Sequence, residues 1–114
     1  MTKDYQQITQ SVSTALAKLR RLSPGVMQGF SQMAQSATED GALDKKTKEL
    51  VALALGVAAH CDACIGFHTK ALAKLGASTE EVVETLNMAI YMGGGPSLMY
   101  AAEALSAFDA FNKD

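Results

Sequence analysis

The chain has no tryptophan, few other aromatic residues, and only two prolines and two cysteines in its 114 residues. Hydrophobic residues nevertheless make up 48% of the sequence, and many of these are alanine. Such a composition is typical of a compact, alanine-rich helical protein. A chain of this length has room for one modest hydrophobic core, so we expect a single domain over residues 1–114.

The charge pattern is also informative through what it lacks. The 10 basic and 12 acidic residues give a net charge of -2 and are spread along the chain. There is no basic stripe for nucleic acid and no polybasic patch for a lipid surface, so neither partner is expected. Residues 1–7 are polar where a signal peptide needs an apolar run, and the longest apolar stretch, residues 50–59, is too short to span a bilayer. We therefore expect a soluble, cytoplasmic protein.

Hydrophobic periodicity is helical throughout, and no segment alternates for long enough to predict a strand. The fold class is therefore all-α, with six helices. The first three are expected from residue 4 to about 22, from 24 to a turn at 38–41, and from 45 to about 60. The fourth is expected from about 62 to 75. The fifth runs from a capping box that begins at Ser78 to the glycines at 93–95, and the sixth from 97 to about 111.

Two predicted helices need particular cover. The second helix has an apolar side formed by Val26, Met27, Phe30, Met33 and Ala34. The third is apolar on every side over residues 50–59, so nearly all other helices or another subunit must cover it.

On the sixth helix, the residues expected to face inward are Leu98, Ala101, Leu105 and Phe108.

The two cysteines form a Cys61-x-x-Cys64 pair, followed four residues later by His68. In a reducing cytoplasm such a pair is more often catalytic or metal-binding than a structural staple. If Asp62 caps the fourth helix, Cys64 lies in its first turn, where the helix dipole favours thiolate over thiol. His68 shares a helix face with Cys64 and can accept its proton. Cys61, just outside the helix, is better placed to exchange with a partner through a mixed disulfide.

Glu49 is the next candidate. Positions 49, 53, 56 and 60 lie on one stripe of the third helix, and a carboxylate on an otherwise apolar helix needs a partner. His68 is the nearest obvious one.

Alternatives remain open at this point. Cys61, Cys64, His68 and either His60 or Glu49 have the right donor types for zinc, although this order matches no common zinc module. The cysteines could also be inert core thiols, and Glu49 a solvated surface charge. His60 is most simply a cation near a helix C-terminus, although it could also serve as a relay group.

The combined pattern resembles a known family. The signature of the alkylhydroperoxidase D-like branch of the carboxymuconolactone decarboxylase family is similar to the order of residues found here. In this chain, eleven residues separate Glu49 from the Cys61-x-x-Cys64 pair, and three more separate Cys64 from His68. Residues 43–50, the run 93–96 and Tyr100 also look like that family. The resemblance implies an all-helical fold, assembly into dimers, trimers or hexamers, and antioxidant, thiol-dependent reduction of peroxides or of a peroxiredoxin disulfide. Glu49 and His68 would relay protons to Cys64, with no cofactor and no metal.

One departure from the family stands out. Alkylhydroperoxidase D carries a second relay histidine between its cysteines, at the position that Ala63 occupies here. Since alanine cannot move a proton, the relay is shortened and the partner or activity could differ. The decarboxylase branch does not depend on a cysteine pair, so the presence of both cysteines argues against lactone decarboxylation. Dihydrolipoamide or a thioredoxin-like protein is the expected reductant.

Overall fold

The computed structural model describes residues 3–113, and its regular structure consists of six α-helices. They are α1 (Tyr5–Leu22), α2 (Pro24–Ala37), α3 (Lys45–Ala58), α4 (Asp62–Lys74), α5 (Thr79–Gly93) and α6 (Gly95–Asn112). No strand occurs among the described residues, and the predicted all-α fold is confirmed.

Side-chain caps set several helix starts. The carboxylate of Asp44 accepts a hydrogen bond of 2.8 Å from the Thr47 amide at the start of α3. At the start of α5, Ser78 Oγ accepts from the Glu81 amide at 3.1 Å, while Glu81 Oε1 accepts from the Ser78 amide at 2.9 Å. The expected capping box is therefore present, and it satisfies amides that the first helical turn leaves free.

Two helix boundaries differ from the sequence prediction. Helix α3 ends at Ala58 and not near His60, because His60 adopts a left-handed conformation with φ of 56°. Helix α6 begins at Gly95, two residues earlier than expected. Gly94, with φ of 74°, turns the chain sharply between α5 and α6, and proline is compatible with the first turn that follows.

Helix α4 lies at the centre of the fold and packs against α1, α3 and α6. The completely buried side chains of the hydrophobic core come from four helices and include Leu53, Val57, Ile65, Leu72, Val82 and Phe108. Gly66 lets α1 approach α4, since a Cβ at this position would lie 2.6 Å from Thr9 Cγ2. The same close approach brings the beginning of α1 to the first turn of α4.

The apolar side expected for α2 is not covered by the described part of the chain. Among the helices, α2 packs only against α1, and the side chains of Val26, Phe30 and Met33 are exposed. Val51 and Leu55 of α3 are exposed as well, so the apolar surface of this helix is only partly buried.

Leu98 was expected to face inward from α6, and this expectation is wrong. Its side chain is exposed, while Ala101 and Phe108 are buried as expected, together with Ser97, Ala104 and Ala107. Small residues let α6 pack closely on α4 and α5, and this packing sets its inner face. No helix within residues 3–113 is both long and apolar enough to cross a membrane.

Candidate active site

The dithiol lies where the chain turns from α3 into α4. After α3, the amide of His60 donates to the Val57 carbonyl and the amide of Cys61 donates to the Gly56 carbonyl, both at 3.0 Å. These two bonds form a Schellman motif with His60 in its left-handed position. The motif brings Cys61 to the N-terminus of α4, directly after the end of α3.

Cys61, and not Asp62, is the N-cap of α4. Cys61 has an extended backbone, and its Sγ accepts a hydrogen bond of 3.2 Å from the Cys64 amide. Asp62 is the first helical residue, and its carboxylate is directed away from the cap toward Lys3 and Tyr5. The sequence prediction of an Asp62 cap is therefore wrong, because long-range partners engage this carboxylate.

Cys61 and Cys64 are joined by a disulfide, with their Cα atoms 5.2 Å apart. Cys64 lies in the first turn of α4, as predicted, where amides and the helix dipole favour negative charge. Both cysteines are half-buried, so exposure alone does not rank them as the sulfur that a partner attacks.

The Cys64 side of the disulfide packs closely against a glycine of α3. A Cβ at Gly56 would lie 3.1 Å from the Cβ of Cys64, closer than most such contacts. Gly56 belongs to the stripe predicted on α3, and its other helical members, Glu49 and Leu53, are also buried. This stripe therefore faces α4 along the seam that carries the dithiol.

Glu49 and His68 meet across that seam. The carboxylate Oε2 of Glu49 lies 2.7 Å from Nδ1 of His68, and Glu49 is only 7% exposed. An ionised carboxylate can only accept, so in that state Nδ1 of His68 is the donor and Nε2 is the ring nitrogen that Glu49 does not engage. The pairing expected from the sequence is therefore present in the fold. Its position, one helical turn beyond Cys64, suits an exchange of protons with the dithiol.

Three further residues surround the dithiol turn without any signal in the sequence spacing. Lys3 and Tyr5 hydrogen-bond to Asp62, and Tyr100 of α6 stacks on His60. They lie between 40 and 59 positions from their partners in the chain. Helical periodicity could place each on a face, but it could not indicate which other helix that face meets.

Two further observations concern metal-binding groups and cavities in the described part of the chain. Among residues 3–113, no group of three or more histidine, cysteine and acidic side chains is arranged to hold a metal ion. An apolar cavity of about 170 Å³ lies between α5 and α6, and it is lined by Val83, Leu86, Asn87, Ile90, Leu98, Ala101, Ala102 and Leu105. None of these side chains is an acid, a base or a nucleophile at neutral pH.

Together, the fold and this site define an all-α protein with a cysteine pair at a helix N-terminus beside a buried carboxylate that is paired with a half-buried imidazole. The profile of the Carboxymuconolactone decarboxylase family matches residues 24–107, and the chain belongs to this family. It is also 39% identical to an uncharacterised protein from Cupriavidus necator over 112 residues, which cover 98% of this chain and 99% of the relative.

Two crystal structures of the family are similar to this fold. One is an apo protein from Legionella pneumophila, which is 62% identical with a TM-score of 0.94 over 96% of this chain and 97% of its own. The other, from Thermotoga maritima, is described as a candidate for the antioxidative response. It is 26% identical with a TM-score of 0.82, and the match covers 92% of this chain and 90% of its own.

Proposed function

We propose that the protein is a thiol-dependent oxidoreductase of the alkylhydroperoxidase D-like type. The observation that carries this proposal is the Cys61–Cys64 disulfide at the N-terminus of α4, next to the pair of buried Glu49 and half-buried His68. The similarity to a candidate antioxidative-response protein supports the same class of chemistry. The substrate would be a peroxide or the disulfide of a peroxiredoxin-type protein.

The proposed cycle has two balanced halves. In the first, a peroxide accepts two electrons from the dithiol, so that ROOH becomes ROH and water while the Cys61–Cys64 disulfide forms. In the second, a reductant dithiol such as dihydrolipoamide or a thioredoxin-like protein attacks this disulfide. A mixed disulfide forms, and the reductant's second thiol resolves it to release both cysteines. Cys61 is our candidate for the sulfur that exchanges with the partner, and Cys64 for its activated mate.

His68 and Glu49 would manage the protons of this cycle. Nε2 of His68 can accept the thiol proton of Cys64 and return it when the disulfide is reduced. Glu49 would act through His68, because its hydrogen bond fixes which ring nitrogen is free. Ala63 offers no proton-transfer group, so His68 is the principal base of the proposed relay.

The test is turnover with a panel of peroxides and candidate reductants. Replacement of either cysteine by serine should abolish it, and mild oxidation should lower the intact mass by about two hydrogens until a reductant is added. His68→Gln should slow turnover by roughly 10²–10⁴-fold, and Glu49→Gln by a smaller factor. Glu84→Gln, an exposed carboxylate on α5, is the matched control and should leave the rate unchanged. Peroxide reduction that survives loss of both cysteines would contradict the proposal.

We also propose that the chain assembles as a homo-oligomer. Val26, Phe30 and Met33 recur at helical spacing on α2, and a second exposed pair, Val51 and Leu55, lies on α3. Apolar faces of this kind usually mark contact surfaces, and closed symmetric assemblies of one chain are the commonest way to cover them.

Sedimentation at micromolar concentration tests this proposal. We expect a mass that is a multiple of the 12.0 kDa chain, and Phe30→Glu should reduce it. Gln28→Glu, which adds the same charge on the same helix, is the control. A wild-type mass near that of one chain would contradict the proposal.

A further inference from the structure

Both chain neighbours of Cys61 are held by side chains from distant parts of the fold. Oδ1 of Asp62 accepts a hydrogen bond of 3.0 Å from Nζ of Lys3 and another of 3.2 Å from the hydroxyl of Tyr5. Nζ of Lys3 also lies 3.1 Å from Oε2 of Glu103 on α6. The dithiol turn is thereby connected to the ammonium of Lys3, which lies before α1, and to the hydroxyl of Tyr5, the first residue of α1.

The other neighbour, His60, is held from α6. Its imidazole stacks on the ring of Tyr100, with the ring centroids 4.6 Å apart and the planes inclined by 2°. Nζ of Lys3 lies 5.0 Å from the centroid of the same Tyr100 ring. Lys3 therefore contacts the carboxylate on one side of Cys61 and the aromatic partner of the histidine on the other.

The backbone of His60 makes this arrangement unusual. The equivalent position after α4 is Gly76, which has φ of 76° and closes the same type of motif. A left-handed conformation suits glycine but is unfavourable for a residue with a Cβ. The chain thus tolerates strain at the residue before Cys61, where the Tyr100 stack holds the imidazole. Such strain is common where the position of a side chain matters for function.

The charges around Asp62 determine what this arrangement can do. Asp62 stands between the two cysteines, and its carboxylate would repel a thiolate on either of them when the disulfide is reduced. Lys3 offsets that charge, and the hydrogen bond to Asp62 raises the pKa of Lys3, so it stays cationic at neutral pH. Burial raises the pKa of Tyr5, so its hydroxyl stays a donor to Asp62.

We propose that Lys3 is a positioning residue that sets the redox poise of the Cys61–Cys64 couple by neutralising and holding Asp62. This inference rests on the dithiol function proposed above. Without the ammonium, the carboxylates of Asp62 and Glu103 lose their shared cation, and a thiolate beside them becomes less favourable. The reduced form is then less stable relative to the disulfide, and the reduction potential falls.

The experiment is equilibration of the protein with glutathione buffers, in which the disulfide and two glutathiones exchange with the dithiol and glutathione disulfide. Lys3→Met should shift the equilibrium roughly three- to tenfold toward the disulfide, or about 15–30 mV for a two-electron couple. Lys3→Arg should stay close to wild type. The Lys3→Met/Asp62→Asn double variant should return toward wild type, because the unpaired carboxylate is then absent.

The matched control is Lys46→Met. Lys46 forms an ion pair of 2.9 Å with Glu81, of similar exposure to the Lys3–Asp62 pair but at the opposite end of α3 from the dithiol. It should not change the equilibrium. This inference, but not the proposed function, would be overturned if Lys3→Met had the same glutathione equilibrium as wild type. It would also be overturned if Lys46→Met shifted that equilibrium as much as Lys3→Met does. A wild-type disulfide that glutathione cannot exchange would overturn the inference and the proposed function together.

Discussion

Gly66→Ala offers a direct test of how α1 is held on α4. The new methyl would lie 2.6 Å from Thr9 Cγ2, where ordinary contacts are about 3.4–4 Å. Thr9 cannot easily turn aside, because it is buried and its hydroxyl donates a 3.0 Å hydrogen bond to the Gln6 carbonyl. Overpacking of this kind costs about 1–3 kcal/mol, whereas alanine in place of glycine gains about 1 kcal/mol in a helix interior. We expect a net loss of up to about 2 kcal/mol in the free energy of unfolding, where an unhindered helical glycine would gain about 1 kcal/mol.

The assay is denaturant unfolding at one protomer concentration, since assembly would otherwise alter the apparent stability. Gly29→Ala on α2 is the control, because nothing lies within 4 Å of its new methyl, and it should gain about 1 kcal/mol. Thr9→Ser removes the opposing methyl, so the double variant with Gly66→Ala should recover stability, with a coupling energy of about 1 kcal/mol or more. Equal stabilisation by Gly66→Ala and Gly29→Ala would refute the close contact between α1 and α4.

Two further predictions concern the α3–α4 seam and the helix caps. Gly56→Ala should lower the turnover rate, because its methyl group would lie 3.1 Å from the Cβ of Cys64. The free energy of unfolding should change little, since alanine favours the helix and offsets part of this close contact. An unchanged turnover rate would show that the contact is unimportant for activity. Hydrogen bonds from Thr47 lower the pKa of Asp44, and one from Ser78 lowers the pKa of Glu81. Their stabilisation should be complete above their ordinary values of 3.8 and 4.5 and disappear as the pH falls through the lowered values. The measurement is the free energy of unfolding as the pH is lowered. It should depend less steeply on pH in Asp44→Asn and in Glu81→Gln than in wild type.

Much of the candidate site could be predicted because its parts lie on two consecutive helices. Periodicity places Glu49 on the buried stripe of α3 and His68 on the face of Cys64, and the short connection between the helices brings these faces together. The pairing of Glu49 with His68 then follows from the need of a buried carboxylate for a partner.

The surroundings of Asp62 could not be predicted in the same way. Aspartate is a strong N-cap residue, so local rules favour it over cysteine at the start of α4. In the fold, Lys3 and Tyr5 bind this carboxylate from 59 and 57 positions away, and Cys61 becomes the cap. Similarly, an apolar pattern on α2 indicates a face that needs cover, but it cannot indicate whether that cover comes from the same chain.

Two groups of side chains therefore flank the dithiol, and they should respond differently to salt. Glu49 is buried and only His68 is partly accessible, so added ions should screen this pair less than a pair with two accessible side chains. The Lys3–Asp62 pair is more accessible, with side chains 33% and 38% exposed, and salt should weaken it. Raising the ionic strength should thus shrink the difference in the glutathione equilibrium between wild type and Lys3→Met. The rate lost in His68→Gln should stay constant over the same range. An equal salt response in wild type and Lys3→Met would mean that the ammonium does not control the dithiol through its charge.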